Sequence, residues 1–275
     1  GTLVTGLMKM RPRERDWVPG ARKEPFKRTG FRLDERLGKE LAAFNVETGA
    51  ELWRYDCSYV PMTPCIVDGK VFVADGEQVT CLDPRSGEVL WKHDGKAVSL
   101  VGHEDTLLVV RRRNERNPHP IRIEALATND GSVRWQKAGM SVPSFSFFYI
   151  PPQLFVADGL VWMHNAGDDF LAGLDPLTGE QKRKALMSGA FTPGHHIRCY
   201  PAKATERFVI TNKRGFEFHD LNGQNTPLKC DWIRGACRLG TVPANGMMYM
   251  PPHGCNCSVE VSMKGFRALG SGSGL

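Results

Sequence analysis

Short apolar runs separated by polar turns recur along the 275-residue chain. In each copy, apolar positions precede a polar turn that ends in Gly, and a second strand follows that turn. The four clearest copies are LAAFNVETGAELWRYD (41–56), VTCLDPRSGEVLWKHD (79–94), IEALATNDGSVRWQKA (123–138) and LAGLDPLTGEQKRKAL (171–186). A small polar residue followed by Gly favours a tight hairpin, because Gly adopts a positive φ without strain. Each copy therefore predicts two antiparallel strands.

The positions that define the repeat are a turn glycine and a tryptophan four residues later. These structural repeat residues are Gly49, Trp53, Gly87, Trp91, Gly131, Trp135 and Gly179. In the fourth copy Arg183 replaces the tryptophan. A degenerate fifth copy spans residues 215–232, and residues 264–269 resemble the start of a sixth. We expect each tryptophan to pack as a large wedge between neighbouring sheets.

A further strand pair precedes each hairpin, as in residues 65–74 and 154–163, where Asp-Gly marks the turn. Four strands in about 40 residues are typical of a β-propeller blade. The sequence thus predicts an all-β propeller of four-stranded antiparallel blades, with about five to six blades in an incomplete ring. We expect residues 1–40 to form a basic lead-in or partial blade, residues 41–269 the propeller repeats, and residues 270–275 a flexible tail.

The element Leu82-Asp83-x-x-Ser86-Gly87-x-x-x-Trp91 resembles the repeat of the pyrroloquinoline-quinone (PQQ)-like β-propellers. That superfamily includes the quinoprotein alcohol dehydrogenases and the propeller lipoprotein of the outer-membrane β-barrel assembly machinery. Residues 194–257 resemble planctomycete-type propeller repeat proteins. The resemblance implies an extracytoplasmic protein, periplasmic or in the cell envelope, and a propeller of seven or eight blades when complete. It does not imply a quinone, because most members bind none.

Composition and charge exclude several classes of protein. Apolar residues make up 41% of the chain and charged residues 24%, as in ordinary globular proteins, and no run of 18 apolar residues predicts a transmembrane helix. Residues 9–40 contain eleven Lys/Arg and six Asp/Glu, which gives this segment most of the net charge of +6. A basic arm can contact nucleic acid or anionic lipid. Because acids are interleaved here, we expect a solvated lead-in and no specific nucleic-acid binding.

The densest polar cluster follows the fourth hairpin. It contains the candidate ligand-binding residues His195, His196, Arg198, Tyr200 and Lys203. Connections between blades lie at the mouth of a propeller channel, where ligands bind. His196, Arg198 and Tyr200 share one face of an extended strand, so they could carry out β-elimination on an acidic polysaccharide, Arg binding the carboxylate and His or Tyr moving the proton. The alternative is a structural junction between two blades.

Five of the eight cysteines lie in the last third of the chain. Cys237, His253, Cys255 and Cys257 offer soft ligands for a Zn or Cu ion, although Cys-x-Cys is tighter than the usual zinc spacing. An oxidising compartment favours disulfides instead, with a pairing that spacing does not give. Cys81 occupies an apolar strand position, so we expect it to be a buried small hydrophobe.

Three functional hypotheses remain open at this point. The favoured one is a non-catalytic propeller that serves as a binding or assembly scaffold, with a protein or glycan partner at its channel face and no cofactor. The second is a propeller enzyme that acts on acidic polysaccharide. The third is an oxidoreductase that uses PQQ or a metal, which is weakened because the sequence contains no vicinal cysteine pair.

Overall fold

The computed structural model describes residues 1–7, 38–59, 63–75, 77–112, 121–140, 153–164, 169–187, 200–213, 215–223, 225–236, 240–252 and 265–270. These ranges form 22 β-strands in six antiparallel sheets, and within every sheet the strands pair in chain order. The described ranges contain no helix that could cross a bilayer.

The first three sheets occupy the amino-terminal half of the chain. Sheet 1 contains β1 (Thr2–Leu7), β2 (Gly38–Asn45) and β3 (Glu51–Tyr59). Sheet 2 contains β4 (Cys65–Val67), β5 (Lys70–Ala74), β6 (Gln78–Leu82) and β7 (Val89–Asp94). Sheet 3 contains β8 (Ser99–His103), β9 (Thr106–Arg112), β10 (Ile121–Ala127) and β11 (Val133–Met140).

The last three sheets follow the same order. Sheet 4 contains β12 (Phe155–Ala157), β13 (Leu160–His164), β14 (Phe170–Leu174) and β15 (Gln181–Leu186). Sheet 5 contains β16 (Lys203–Ala204), β17 (Phe208–Thr211), β18 (Phe216–Asp220) and β19 (Leu228–Cys230). Sheet 6 contains β20 (Val242–Ala244), β21 (Met247–Met250) and β22 (Arg267–Gly270).

The sheets are arranged radially, as the repeat predicts. The first strands of sheets 2 to 6, which are β4, β8, β12, β16 and β20, contact one another in that order. A separate apolar cluster fills each of the five interfaces between consecutive sheets. Within the described ranges none of these clusters joins sheet 6 to sheet 1, so the six sheets do not close into a ring.

The central strands are apolar on both faces because each sheet packs against two neighbours. Along β9, Leu107 and Val109 contact the cluster shared with sheet 2, whereas Leu108 and Val110 contact the cluster shared with sheet 4. All four side chains are completely buried. Alternation therefore distributes one continuous apolar run between two cores, which explains why these strands lack the polar positions of a half-exposed sheet.

Trp53 joins sheet 1 to sheet 2 through the turn that precedes β7. Its indole Nε1–H donates a hydrogen bond of 2.9 Å to the carbonyl oxygen of Pro84. The ring covers Gly87, where a Cβ atom would lie 2.7 Å from ring atom Cδ2. We call the combination of a turn glycine at positive φ and the nearby carbonyl acceptor an indole seat.

The same contact repeats at the next two interfaces. Trp91 donates a bond of 3.0 Å to the Thr128 carbonyl and covers Gly131, and Trp135 donates one of 2.8 Å to the Pro176 carbonyl. The ring of Trp135 covers Gly179. The prediction that the tryptophans are equivalent wedges between neighbouring sheets is confirmed.

Sheets 4 and 5 carry different residues at the tryptophan position. Arg183 is the register partner of Gly173, as Trp91 is of Cys81. Its guanidinium donates to Asp158 Oδ2 at 2.6 Å and to Asn222 Oδ1 in the next sheet at 3.4 Å. In sheet 5 the corresponding residue is Leu228, whose side chain is 66% exposed. A hydrogen bond from Arg183 to Asn222 therefore replaces the aromatic wedge between sheets 4 and 5, whereas the ion pair with Asp158 lies within sheet 4.

Candidate functional site

Tight turns cover one end of the propeller, which we call the turn end. In an antiparallel sheet, the connection between the first and second strands and the connection between the third and fourth lie at the same end. Asp68-Gly69, Asp158-Gly159 and Asn245-Gly246 have positive φ at both residues, as in a type I′ turn. Such two-residue turns leave little surface that can vary.

The longer connections lie at the opposite end, which we call the loop end. Here each second strand leads to the third, and each fourth strand leads to the next sheet. β1 ends at Leu7 and β2 begins at Gly38, which places residues 8–37 in one connection. Three further connections also begin and end at the loop end: residues 141–154, 187–202 and 251–266. The loop end is therefore the candidate functional site.

The candidate ligand-binding residues fall on the 187–202 connection and the strand after it. His195, His196 and Arg198 lie outside the described residues. Tyr200 is 1% exposed, its hydroxyl donates a hydrogen bond of 2.7 Å to the Gly215 carbonyl, and its ring packs against Phe216. Tyr200 thus belongs to the core between sheets 5 and 6, where its hydroxyl serves a structural contact.

Lys203 lies on β16, the innermost strand of sheet 5. Its side chain is half-buried, and burial lowers its pKa from the usual 10.5. The direction of this shift follows from the cost of holding an ammonium group away from water. Lys203 therefore faces a partly desolvated environment near the propeller axis.

The candidate metal ligands Cys237, His253, Cys255 and Cys257 all lie outside the described residues. Among the residues that the structure does describe, no group of three or more His, Cys, Asp or Glu is placed to hold a metal ion. A metal site at these four positions stays a prediction.

The four described cysteines are free thiols: Cys57, Cys65, Cys81 and Cys230. Of the five cysteines in the last third of the chain, the structure describes Cys230 alone, so disulfides among them stay a prediction. Cys81 is completely buried in the cluster between sheets 2 and 3, which confirms that it acts as a small hydrophobe. Burial raises its pKa to about 12 and that of Cys57 to about 11, so both thiols are protonated at neutral pH.

A buried ionic network fixes the loop end of the interface between sheets 2 and 3. Arg111 Nε lies 2.5 Å from Glu124 Oε2, and both side chains are about 95% buried. Nη1 of Arg111 also donates to the Gly95 carbonyl. Glu124 receives a second ion pair from Arg122 at 2.7 Å, and His93 Nε2 lies 3.4 Å away. The network thereby holds together the strand ends from which two connections leave, the one after β7 and the one between β9 and β10.

A second buried network occupies the loop end between sheets 4 and 5. Thr211 Oγ1 lies 2.9 Å from Glu217 Oε2 and 2.9 Å from His219 Nε2, and all three residues are buried. The Leu186 carbonyl is 3.3 Å from His219 Nδ1. Desolvation lowers the pKa of His219 to about 4, so its imidazole is neutral at pH 7.

Sequence analysis did not identify either network. The available signal was a charged residue within an apolar strand, as in IRIEALA (121–127) and FEFHD (216–220). Charged residues are rarely fully buried unless they are paired, so such a position predicts a partner. The partner itself comes from another strand or another sheet, and the repeat spacing does not specify it.

Comparisons with known proteins agree with this fold. The sequence profile of one family, described as outer membrane protein assembly factor BamB, matches residues 38–193, which is more than half of the chain. No curated protein matches the chain. Among solved structures, the crystal structure of BamB from Moraxella catarrhalis superimposes with a TM-score of 0.53 at 15% identity, over 77% of this chain and 61% of its own. This chain thus spans about three fifths of that structure, and the likeness shows the fold.

Two oxidoreductases are also similar in structure. A europium-containing methanol dehydrogenase has a TM-score of 0.45 at 12% identity, over 85% of this chain and 63% of its own. The quinohemoprotein alcohol dehydrogenase from Comamonas testosteroni has a TM-score of 0.47 at 12% identity, over 74% of this chain and 43% of its own.

Proposed function

The chain belongs to the outer membrane protein assembly factor BamB family, and we propose that it is a propeller scaffold of the cell envelope that helps to assemble outer membrane proteins. In this role it binds a protein partner through its loop end and performs no chemistry itself. The observation that carries the proposal is the division of the propeller into a turn end of short hairpins and a loop end that collects the long connections.

The charge of the connections favours a partner with an acidic surface. Residues 8–37 contain ten Lys/Arg and five Asp/Glu, so this one connection supplies most of the net charge of +6. Complementary charge raises the rate of association and makes it sensitive to salt. We therefore expect binding to weaken as ionic strength rises.

The two buried networks support this role because they hold the strand ends at the loop end in fixed positions. The Arg111–Glu124 pair and the Thr211–His219 contact each hold two strands at the point where a connection leaves them. A binding surface built on fixed elements loses less conformational entropy when a partner binds. Loops on a rigid propeller therefore suit a scaffold.

The polysaccharide alternative gains no support from Tyr200. Proton transfer to a substrate requires a hydroxyl that can reach it, whereas the Tyr200 hydroxyl is buried and bonded to the Gly215 carbonyl.

Site-specific photo-crosslinking in living cells tests the proposal. A photoreactive amino acid is placed at the exposed loop-end residues Lys96 and Asp169, and at the exposed turn-end residues Arg85 and Leu177 as matched controls. We expect crosslinks to an envelope protein from the loop end alone, and we expect the chain to fractionate with the cell envelope. Crosslinks from the turn end alone, or a cytoplasmic chain, would refute the proposal.

A further inference from the structure

Trp232 differs from the other tryptophans that the structure describes, which are Trp53, Trp91, Trp135 and Trp162. In those four, the indole Nε1–H donates a hydrogen bond to a backbone carbonyl, and none of the four side chains is exposed. Trp232 is 56% exposed, and its Nε1–H has no acceptor within the described ranges. Trp232 therefore presents a ring face and a free N–H donor to solvent.

The backbone around Trp232 is held in place. Cys230, which ends β19, pairs in register with Phe216. On the other side, Ile233 is completely buried in the apolar cluster between sheets 5 and 6. Trp232 lies where β19 leads to the next sheet, at the loop end. The indole is therefore a fixed feature of this surface, and binding a ligand to it requires little backbone ordering.

Two cationic side chains lie at the same end of this interface. Arg267 is exposed, begins β22 and is the register partner of Met250, which belongs to the apolar cluster between sheets 5 and 6. Lys203 is half-buried and begins β16, and its Cε lies 3.7 Å from a Cβ atom built on Gly240, in the connection between the two sheets. Trp232, Lys203 and Arg267 thus border one junction, which we call the junction site.

Neither cation of the junction site is neutralised by a neighbouring carboxylate. Elsewhere in the propeller arginines are paired, as Arg134 is with Asp105 at 2.6 Å. No carboxylate oxygen of the described residues lies within 4 Å of the side-chain nitrogens of Lys203 or Arg267. The strands β20, β21 and β22 contain no acidic residue. The junction site therefore carries an excess of positive charge, which favours an anionic ligand.

An acidic sugar supplies the groups that complement this surface. The C–H groups on one face of a pyranose ring pack on the electron-rich face of an indole, and a sugar hydroxyl accepts the indole N–H. A carboxylate on the sugar accepts charge-assisted hydrogen bonds from an ammonium or guanidinium group. Because Lys203 is on the innermost strand of sheet 5 and Trp232 follows the outermost one, three strand spacings, or about 14 Å, separate them. That span requires an oligomer rather than a single sugar.

The aromatic content of the junction site favours a saccharide over other anionic ligands. Single-stranded nucleic acid stacks successive bases on several aromatic side chains. One exposed ring is described at this site, because Phe266 packs beside Tyr249 on the opposite face of sheet 6. The anchor residue of a protein partner instead needs an apolar pocket. Leu228, the other exposed apolar residue of sheet 5, begins β19 at the turn end and adds no such pocket to Trp232.

We propose that the junction site binds an acidic oligosaccharide, with one sugar ring on Trp232 and carboxylates of the oligomer on Arg267 and Lys203. The observation that carries the proposal is an exposed indole with a free N–H donor, beside two cations that have no carboxylate partner among the described residues. The proposal adds a ligand to the loop end and does not rest on the proposed function. Binding breaks no bond in the oligomer.

Isothermal titration calorimetry with the whole protein and a galacturonic acid oligomer is the first test. We expect saturable binding that weakens as the salt concentration rises, because ions screen the cations. A neutral galactose oligomer of the same length should bind at least about tenfold more weakly. No saturable binding of the acidic oligomer, or equal binding of the neutral one, would overturn the proposal. Tighter binding of polyglutamate or of oligothymidylate would assign the site to an acidic protein or to nucleic acid and would overturn it as well.

Variants then locate the bound oligomer. Trp232→Ala should weaken binding at least about tenfold, and the melting temperature should stay unchanged because the side chain is exposed. Trp232→Phe keeps a ring and removes the N–H donor, so its affinity should fall between those of the parent and Trp232→Ala. Arg267→Gln should also weaken binding, whereas Arg85→Gln, at an exposed position of the turn end, is the matched control. Parent-like binding by Trp232→Ala or Arg267→Gln, or an equal loss in Arg85→Gln, would contradict the proposal.

Discussion

The Trp53 ring lies so close to Gly87 that a Cβ atom at Gly87 would be 2.7 Å from ring atom Cδ2. Real Cβ contacts do not reach this distance, so any other residue at Gly87 must displace the indole. The contact links two sheets whose strands are not hydrogen-bonded to each other. At the three interfaces that contain a tryptophan, radial packing therefore depends on one glycine as much as on the tryptophan.

Replacing the glycine beneath a tryptophan should destabilise the fold more than replacing Gly49, which no described side chain covers. Gly49→Ala should lower the free energy of unfolding by about 1 kcal/mol through left-handed backbone strain. Gly87→Ala adds the collision with Trp53, so we expect a loss of about 3 kcal/mol. Urea unfolding measures both, and equal losses would contradict the role assigned to the seat.

The loss in free energy of unfolding when a tryptophan is replaced by alanine should depend on how deeply that tryptophan is buried. Trp135 is 9% exposed and fills the Gly179 seat, so Trp135→Ala should cost about 3–5 kcal/mol. Trp232 is 56% exposed, and Trp232→Ala should stay within about 0.5 kcal/mol of the parent. Thermal and urea unfolding check the pair, and similar losses would be inconsistent with the wedge.

Breaking the buried ionic network should be costly as well. Glu124→Gln leaves the Arg111 guanidinium buried beside a neutral amide, and we expect a loss of about 3 kcal/mol. Glu180→Gln is the control, because its ion pair with Lys182 is exposed and contributes little. If both variants unfold at the same urea concentration, the network does not stabilise the loop end.

His219 should make stability depend on pH in a defined window. Its pKa is about 4 in the folded protein and 6.5 when unfolded, because burial disfavours the imidazolium. As pH falls, the unfolded chain takes up the proton first, so the full contribution is present above pH 6.5 and is lost toward pH 4. The loss should approach 3 kcal/mol, at about 1.4 kcal/mol per pKa unit.

The variant His219→Gln should flatten the stability curve across this window. Glu217 and His164 lie near His219, so the comparison is the difference in slope between the parent and the variant. Asp105, whose pKa is lowered to about 2 by hydrogen bonding to Arg134, contributes its change mainly below pH 4. An unchanged slope between pH 6.5 and pH 4 would show that His219 is not the titrating group.

Much of the fold could be predicted because the repeat is local. The glycine turns, the tryptophans and the preceding strand pairs lie within about 40 residues, so spacing alone gives the sheets and their order. β1 was not predicted as a strand, because residues 8–37 separate it from its partner β2. Pairing across such a distance leaves no periodic signal.

The candidate site was harder to predict from the sequence. The sequence places Tyr200 in a polar cluster and predicts that it binds a ligand, yet its side chain enters the core beside Phe216. Arg111 and Glu124 pair across two strands, and His219 meets Leu186 of another sheet. These contacts depend on register between strands and on packing between sheets, which one sequence does not determine.

Complementation in cells tests the scaffold role most directly. The chromosomal copy is replaced by a variant in which residues 188–199, within a loop-end connection, are exchanged for a short Gly/Ser linker, and the amount of outer membrane β-barrel protein is measured. A second variant, Asp158→Asn with Gly159 kept, alters the turn end and serves as the control. We predict that the loop-end variant folds with an unchanged melting temperature but lowers outer membrane protein levels, whereas the control restores them. Full restoration by a folded loop-end variant would contradict the account.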